Sequence, residues 1–327
     1  MTLSCKEELL TTSSVPTLIP VYDAPTKTEF FDIQAQRQPA VLRDIPIGAC
    51  AEKWTAAYLA QQVGRDKPVS VHESSSNRLR FLDKNFVYRV MPFGAFIDAA
   101  LTSSEGDAQN KFYYYRALAD DARNVPSDFR RDFPKLAQDF VLPDFLEHET
   151  VFSCVLRCGS ANLGLWLHYD VLDNVLIQIR GRKRAVLFDP EDFDHLYMQG
   201  DKSLIFDAEN VDLDRFPKFR NATKWVCTLE EGDMLFIPAF WMHYMVAEEF
   251  SIAVNVFWHN LPKELYDSKD TYGNKELLPY FRASQGLDRA LKQLENLPRE
   301  YRRFYARMLK AKLDKYLTDS ASESPKS

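Results

Sequence analysis

From Thr150 to Trp258 the chain alternates short apolar runs with turn signals, at Cys158-Gly-Ser160, Arg180-Gly-Arg182, Asp189-Pro190 and Glu231-Gly-Asp233. Runs of this length, rich in Val, Ile, Phe and Trp, suit a pleated surface. Their rhythm predicts an all-β sandwich or barrel core over 150–260. Ahead of it, the polar, Ser- and Thr-rich stretch 1–18 reads as a loose tail, and 19–149 reads as α/β elements packed on the core. Within those, Thr26 onward predicts a short capped helix and Gln38-Pro-Ala-Val-Leu-Arg43 an extended run. Trp54, Ala57, Tyr58 and Leu59 recur at near-helical spacing, with Gly64 as a stop signal. Val69–His72 and Phe86–Val90 read as strands and Phe93–Leu101 as a helix. Phe112-Tyr-Tyr-Tyr-Arg116 predicts a strand that sends Tyr114 to one face and Tyr113 and Tyr115 to the other. Residues 125–146, with their prolines and acidic groups, read as a connecting segment with short helices.

Beyond Pro262 the period becomes helical. Leu287, Ala290, Leu291 and Leu294 form one stripe; Tyr301, Phe304, Tyr305, Met308 and Tyr316 form another, and Leu297-Pro298 separates them. This predicts a helical region over 261–317 and a solvated tail over 318–327.

Composition narrows the class of protein. With 327 residues, 46% hydrophobic and 13% aromatic, the chain can bury a sizeable core. Its net charge of -6 excludes a globally basic nucleic-acid binder, so any RNA contact must be regional. The cysteines, Cys5, Cys50, Cys154, Cys158 and Cys227, are scattered, and one CxxxC pair without a second does not make a zinc site. The N-terminus has no basic segment followed by a long apolar run, and no stretch is apolar enough to span a bilayer. These features predict a cytoplasmic or nuclear protein with no membrane partner.

The candidate chemistry lies in Leu165-Trp-Leu-His-Tyr-Asp170. In an extended strand residues i and i+2 share a face, so His168 and Asp170 can reach one ion together. Far downstream, Trp241-Met-His243 offers a second imidazole. Two histidines and a carboxylate form the facial triad of non-haem Fe(II) oxygenases, which leaves positions open for a co-substrate and dioxygen. Lys183 opens a strand after the Arg180-Gly-Arg turn. Two environments fit it: the barrel interior beside Asn174, as counter-ion to a bound dicarboxylic acid, or the surface of a basic hairpin with Arg182 and Arg184. His72, His148, His195 and His259 have no comparable partners in sequence and read as structural or exposed.

His168-Tyr-Asp170, Asn174, Gln178 to Phe188, Glu231 to Pro238, Trp241-Met-His243 and Val254 to Trp258 resemble, in order and spacing, the Jumonji C family of Fe(II)- and 2-oxoglutarate-dependent oxygenases. Lys84-Asn-Phe-Val-Tyr-Arg89, His168 to Asn174, Phe236 to Trp241, Tyr266 to Lys275 and Leu287 to Lys292 carry a narrower resemblance, to the tRNA hydroxylases of wybutosine synthesis. Asp270 to Lys275 lies outside the catalytic core, so catalytic need alone does not explain that match.

The resemblance implies a double-stranded β-helix, a jelly-roll and cupin-like fold, mainly β with α. It implies Fe(II) held by His168, Asp170 and His243. It also implies 2-oxoglutarate held at its distal carboxylate by Lys183 with the Tyr114 hydroxyl, and Asn174 hydrogen-bonding nearby. Asn255 falls on a core strand near the site in the same pattern, where packing explains it equally well. The activity implied is a dioxygenase that consumes 2-oxoglutarate and dioxygen and hydroxylates a modified guanosine side chain in the anticodon loop of phenylalanine tRNA. A protein side-chain hydroxylase and an inactive binding scaffold are the rival readings. The basic C-terminal helix, with Arg299, Arg302, Arg303, Arg307, Lys310, Lys312 and Lys315, can track a tRNA backbone or simply be a solvated face. Its aromatic stripe suits a homodimer contact.

Overall fold

The computed structural model describes residues 15–103, 111–146 and 150–321. His148 and most of the N-terminal tail lie outside them. The chain divides into two compact units, Met1–Lys263 with Ser268–Asn274, and Glu264–Asp267 with Lys275–Ser327.

The first unit is a jelly-roll sandwich built on two sheets. A 7-stranded sheet orders the strands Thr17–Leu18, Trp225–Leu229, Lys183–Phe188, Met242–Ala247, Leu163–His168, Lys202–Ser203 and Met198–Gln199. A 9-stranded sheet orders Val21–Asp23, Ala40–Arg43, Met234–Ile237, Asp173–Arg180, Ser251–Trp258, Val151–Gly159, Phe112–Arg116, Pro68–Ser74 and Phe86–Pro92. The N-terminal strands from Val21 onward therefore extend the larger sheet, and Thr17–Leu18 the smaller. Among the described residues the first strand, Thr17–Leu18, pairs in parallel with Trp225–Leu229 and lies slightly ahead of Ile19.

Strand alternation sorts the side chains among separate cores. Leu176, Ala185, Leu187, Leu235, Met245 and Ala253 point between the sheets. The opposite phase of the larger sheet, including Val175, Ile177, Ile179, Val254 and Val256, packs against Phe30, Trp54, Phe93 and Phe96 of the N-terminal helices. On the smaller sheet, Val186, Phe188, Met242 and Tyr244 pack against Leu196, Ile205, Phe216 and Phe219. The same phase that buries Ala185 and Leu187 between the sheets carries Lys183 inward.

Two local devices fix the site. Thr26 caps the helix Lys27–Ala35 in a capping box with Glu29, and that helix buries Phe30 and Ile33. It delivers Arg37, whose guanidinium grips the buried Asp173 carboxylate through two hydrogen bonds of 2.6 and 2.7 Å, beside Asn174. In the turn between Arg180 and Lys183, Gly181 has φ +73, and a Cβ there would lie 2.3 Å from the Phe250 carbonyl oxygen. Only glycine fits that turn.

The second unit carries the helices Leu278–Leu294 and Arg299–Ala321. The latter continues past Thr318, where the sequence suggests a tail. Among the described residues no helix is long and apolar enough to cross a membrane.

Candidate metal and co-substrate site

His168 ends the strand Leu163–His168, and His243 pairs directly with it from the neighbouring strand Met242–Ala247. The two imidazole rings stand 4.3 Å apart, and Asp170 Oδ2 lies 3.7 Å from His243 Nε2. One ligand atom from each of the three residues falls within 4.8 Å of the others. The loop bearing Asp170 is tied to the turn before His243, because the Phe240 N–H donates to the Asp170 carbonyl at 2.9 Å. Phe240 adopts φ 70 to do so, a strained backbone that the tether over-determines.

The donor set fits a divalent iron. His168 Nδ1 is 2.9 Å from the Trp166 carbonyl and His243 Nδ1 is 3.0 Å from the Trp241 carbonyl. Each Nδ1–H therefore donates to backbone, which leaves both Nε2 lone pairs for a metal. Burial pushes the His168 imidazole down to about 3, with the neighbouring His243 adding to the effect. Burial also lowers His243, although Asp170 opposes it. Both rings are thus held in the neutral, ligating form.

Deeper between the sheets lies a cavity lined by Tyr114, Arg157, Leu165, Lys183, Met245 and Ser251, among others. Lys183 is 8% exposed and has no carboxylate partner among the described residues. Burial, with Arg157 nearby, brings its ammonium down to about 7. A buried cation without a counter-ion is costly unless a ligand supplies the anion. Tyr114 sits on the cavity side of its strand and accepts a hydrogen bond from Arg157 Nη1 at 2.7 Å. Tyr115 is turned away onto Phe93 and Phe96. Asn255 Nδ2 donates to Asn174 Oδ1 at 3.0 Å, while Asn174 Nδ2 and Asn255 Oδ1 are buried without partners among the described residues. An unpaired donor and acceptor side by side fit a polar ligand between the sheets.

The chain matches the cupin-like domain family over residues 26–264. It is 48% identical over 295 residues to tRNA wybutosine-synthesizing protein 5 of Danio rerio, covering 89% of this chain and 90% of that one. It is 44% identical over 295 residues to the Homo sapiens protein of the same name, covering 89% and 93%. The chain belongs to the cupin-like, Jumonji C-type family. A further relative, tRNA wybutosine-synthesizing protein 4 of Gibberella zeae, is 38% identical over 301 residues, but this chain covers only 28% of it.

On this family fold the structure places together His168, Asp170 and His243, and separately gathers Tyr114 and Lys183 on one cavity. Arg157 belongs with the latter group, although its type and spacing did not single it out. The signal was its phase: in Val151–Gly159, Cys154, Leu156 and Cys158 pack outward, so an arginine at 157 must face the interior. His195, bonded to Asp192 at 3.2 Å, and His259, against Phe152, stand apart from the triad. His72 is outside the triad too. It is half-buried among Phe86, Tyr88, Tyr114 and Trp166, and desolvation there lowers its imidazole to about 4.

Proposed function

We propose that this chain is an Fe(II)- and 2-oxoglutarate-dependent dioxygenase that hydroxylates the side chain of a wybutosine-type guanosine in phenylalanine tRNA. The observation that carries the reaction type is the His168, Asp170 and His243 triad standing on the same sandwich interior as a buried, unpaired Lys183. The substrate class rests on the likeness to the wybutosine-synthesizing proteins over most of the chain.

Iron bound by the triad would supply oxygen activation coupled to decarboxylation of 2-oxoglutarate. The protein's own residues divide the remaining work. His168 and His243 present Nε2 in a fixed tautomer, and Asp170 supplies the anionic ligand. Lys183 neutralises the distal carboxylate of the dicarboxylic acid, and Tyr114, held by Arg157, donates a hydrogen bond beside it. The free Asn174 amide donor would hydrogen-bond to the bound co-substrate. The apolar walls formed by Leu165 and Met245 keep water away from the reacting centre.

The helix Arg299–Ala321 exposes Tyr301, Phe304, Tyr305, Met308 and Tyr316. This face is proposed as a homodimer contact, and light scattering of the purified protein would show a dimer if it is one and a monomer if it is not. The activity is tested by nucleoside mass spectrometry of phenylalanine tRNA from cells that lack this protein. In an organism that makes the hydroxylated base, that base should disappear and its unhydroxylated precursor accumulate. An unchanged nucleoside profile would remove the tRNA reading.

A further inference from the structure

An aromatic surface runs outward from the triad and has no part in holding the metal or the dicarboxylic acid. It originates in a β-bulge. The ladder pairs His243 with His168 and Met245 with Leu165, so Trp166 and Leu167 together stand opposite Tyr244. A bulge re-aims side chains next to a site, and here Leu167 joins the outer core while Trp166 turns toward the Phe81 and Phe86 rings. The Trp166 ring stacks on Phe86 at 5.9 Å and 18°, lies 5.0 Å from Phe81, and reaches His168 at 6.0 Å. Tyr88 continues the surface, edge-on to Phe86 at 5.7 Å, and is 58% exposed.

Cations lie over two of these rings. The Lys202 ammonium sits 4.3 Å from the centre of the Phe81 ring, and Lys84 lies 5.6 Å from Phe81 and 5.7 Å from Tyr88. Lys202 is paired in register with His168 itself and has Asp201 beside it. Lys84 has no carboxylate partner among the described residues. The indole Nε1–H of Trp166 is buried and lacks an acceptor among the described residues. A native fold seldom leaves such a donor unpaired unless a ligand or water completes it.

Half-buried aromatic rings, ammonium groups over them and an unfilled donor, contiguous with a metal-binding histidine, match one ligand chemistry: a planar base unstacked from an RNA loop, with its phosphates alongside. We propose that Phe81, Tyr88 and Trp166, with Lys84 and Lys202, form the platform on which the substrate's extended purine-type base stacks, the flanking phosphates lying on the two lysines. The Trp166 indole donates to an acceptor on the base. These recognition groups are side chains on one face, not the free backbone edge of the strand Phe86–Pro92, which favours a planar polyanion over an added peptide strand. The inference rests on the tRNA reading and gives it a location.

The test uses the full-length protein loaded with a redox-inert divalent metal and 2-oxoglutarate. The probes are an anticodon stem-loop carrying the tricyclic base and the same stem-loop with plain guanosine. Tyr88→Ala should weaken binding about tenfold. Lys84→Gln should weaken it several-fold and reduce the salt dependence by about one counterion. Trp166→Phe, which keeps a ring and removes the donor, should weaken the tricyclic probe more than the guanosine one. 2-Oxoglutarate affinity should stay unchanged in all three, which separates loss of the platform from misfolding. If the wild-type protein binds the tricyclic probe and, loaded instead with Fe(II), hydroxylates it, while all three variants bind the probe equally well, the platform is overturned and the tRNA reading stands. If the wild-type protein binds neither RNA, both fall, and turnover on a protein substrate lost in these variants would assign the surface to a peptide instead.

Discussion

Lys183→Met removes a buried charge while keeping the length and most of the apolar volume of the side chain. The ammonium of Lys183 is brought from its ordinary 10.5 to about 7, chiefly by burial and then by Arg157. Holding it charged in the protein without a bound anion therefore costs about 5 kcal/mol relative to the unfolded chain. The folded-state value lies below the unfolded one, so the penalty is complete below about pH 7 and shrinks as the pH rises toward 10.5. In the absence of co-substrate, Lys183→Met should thus stabilise the protein, by about 2–4 kcal/mol near pH 6 after allowance for relaxation and less near pH 8.5. The same change should weaken 2-oxoglutarate binding at least about a hundredfold, because a desolvated carboxylate loses its only ammonium partner. In the wild-type protein, dicarboxylate binding should draw the Lys183 value upward and take up a proton between about pH 7 and pH 9. Thermal melts at two pH values and calorimetry in buffers of different ionisation enthalpy read both effects. A variant that is less stable than wild type at both pH values and binds 2-oxoglutarate undiminished would refute the reasoning.

Other perturbations separate the remaining parts of the site. His168→Ala should abolish divalent-metal binding in a titration and succinate release in a turnover assay, with the far-UV circular dichroism unchanged. With both imidazoles lowered by burial, metal affinity should hold nearly constant between about pH 6 and pH 7.5, where an ordinary imidazole would lose about fourfold to protons; a fourfold loss would show at least one of the two to be an ordinary imidazole. Asn174→Ala removes the unpaired amide donor and should raise the KM for 2-oxoglutarate about tenfold, whereas an unchanged KM would leave the Asn174 and Asn255 pair a packing feature. Gly181→Ala meets both the φ of +73 and the Phe250 carbonyl at 2.3 Å, and should cost about 2–4 kcal/mol in chemical denaturation.

The parts of this molecule that were legible in its sequence are those with short-range signatures. The HxD spacing shows which two side chains share a face, the turn glycines mark the strand ends, and the phase of Phe112-Tyr-Tyr-Tyr-Arg116 sets Tyr114 apart from Tyr113 and Tyr115. What was not legible depends on pairing between distant segments. The bulge that turns Trp166 out exists only because of the register between its strand and the one bearing His243. The Asn174 and Asn255 pair spans 81 residues, and the clamp of Arg37 on Asp173 spans 136. Lys183 falls between these cases. Its side chain type alone favours a hairpin surface over a buried counter-ion, and only the burial of Ala185 and Leu187 on the same face of the strand sends it inward.

The most direct test is reconstitution. Purified protein, Fe(II), 2-oxoglutarate and dioxygen are combined with phenylalanine tRNA carrying the unhydroxylated tricyclic base, and base and succinate are both quantified by mass spectrometry. The predicted result is gain of one oxygen atom on the side chain of that base, in equal amount to succinate, lost on omission of iron and in His168→Ala. Succinate formed without any oxygen added to the tRNA, or a hydroxylated base formed without 2-oxoglutarate, would contradict it.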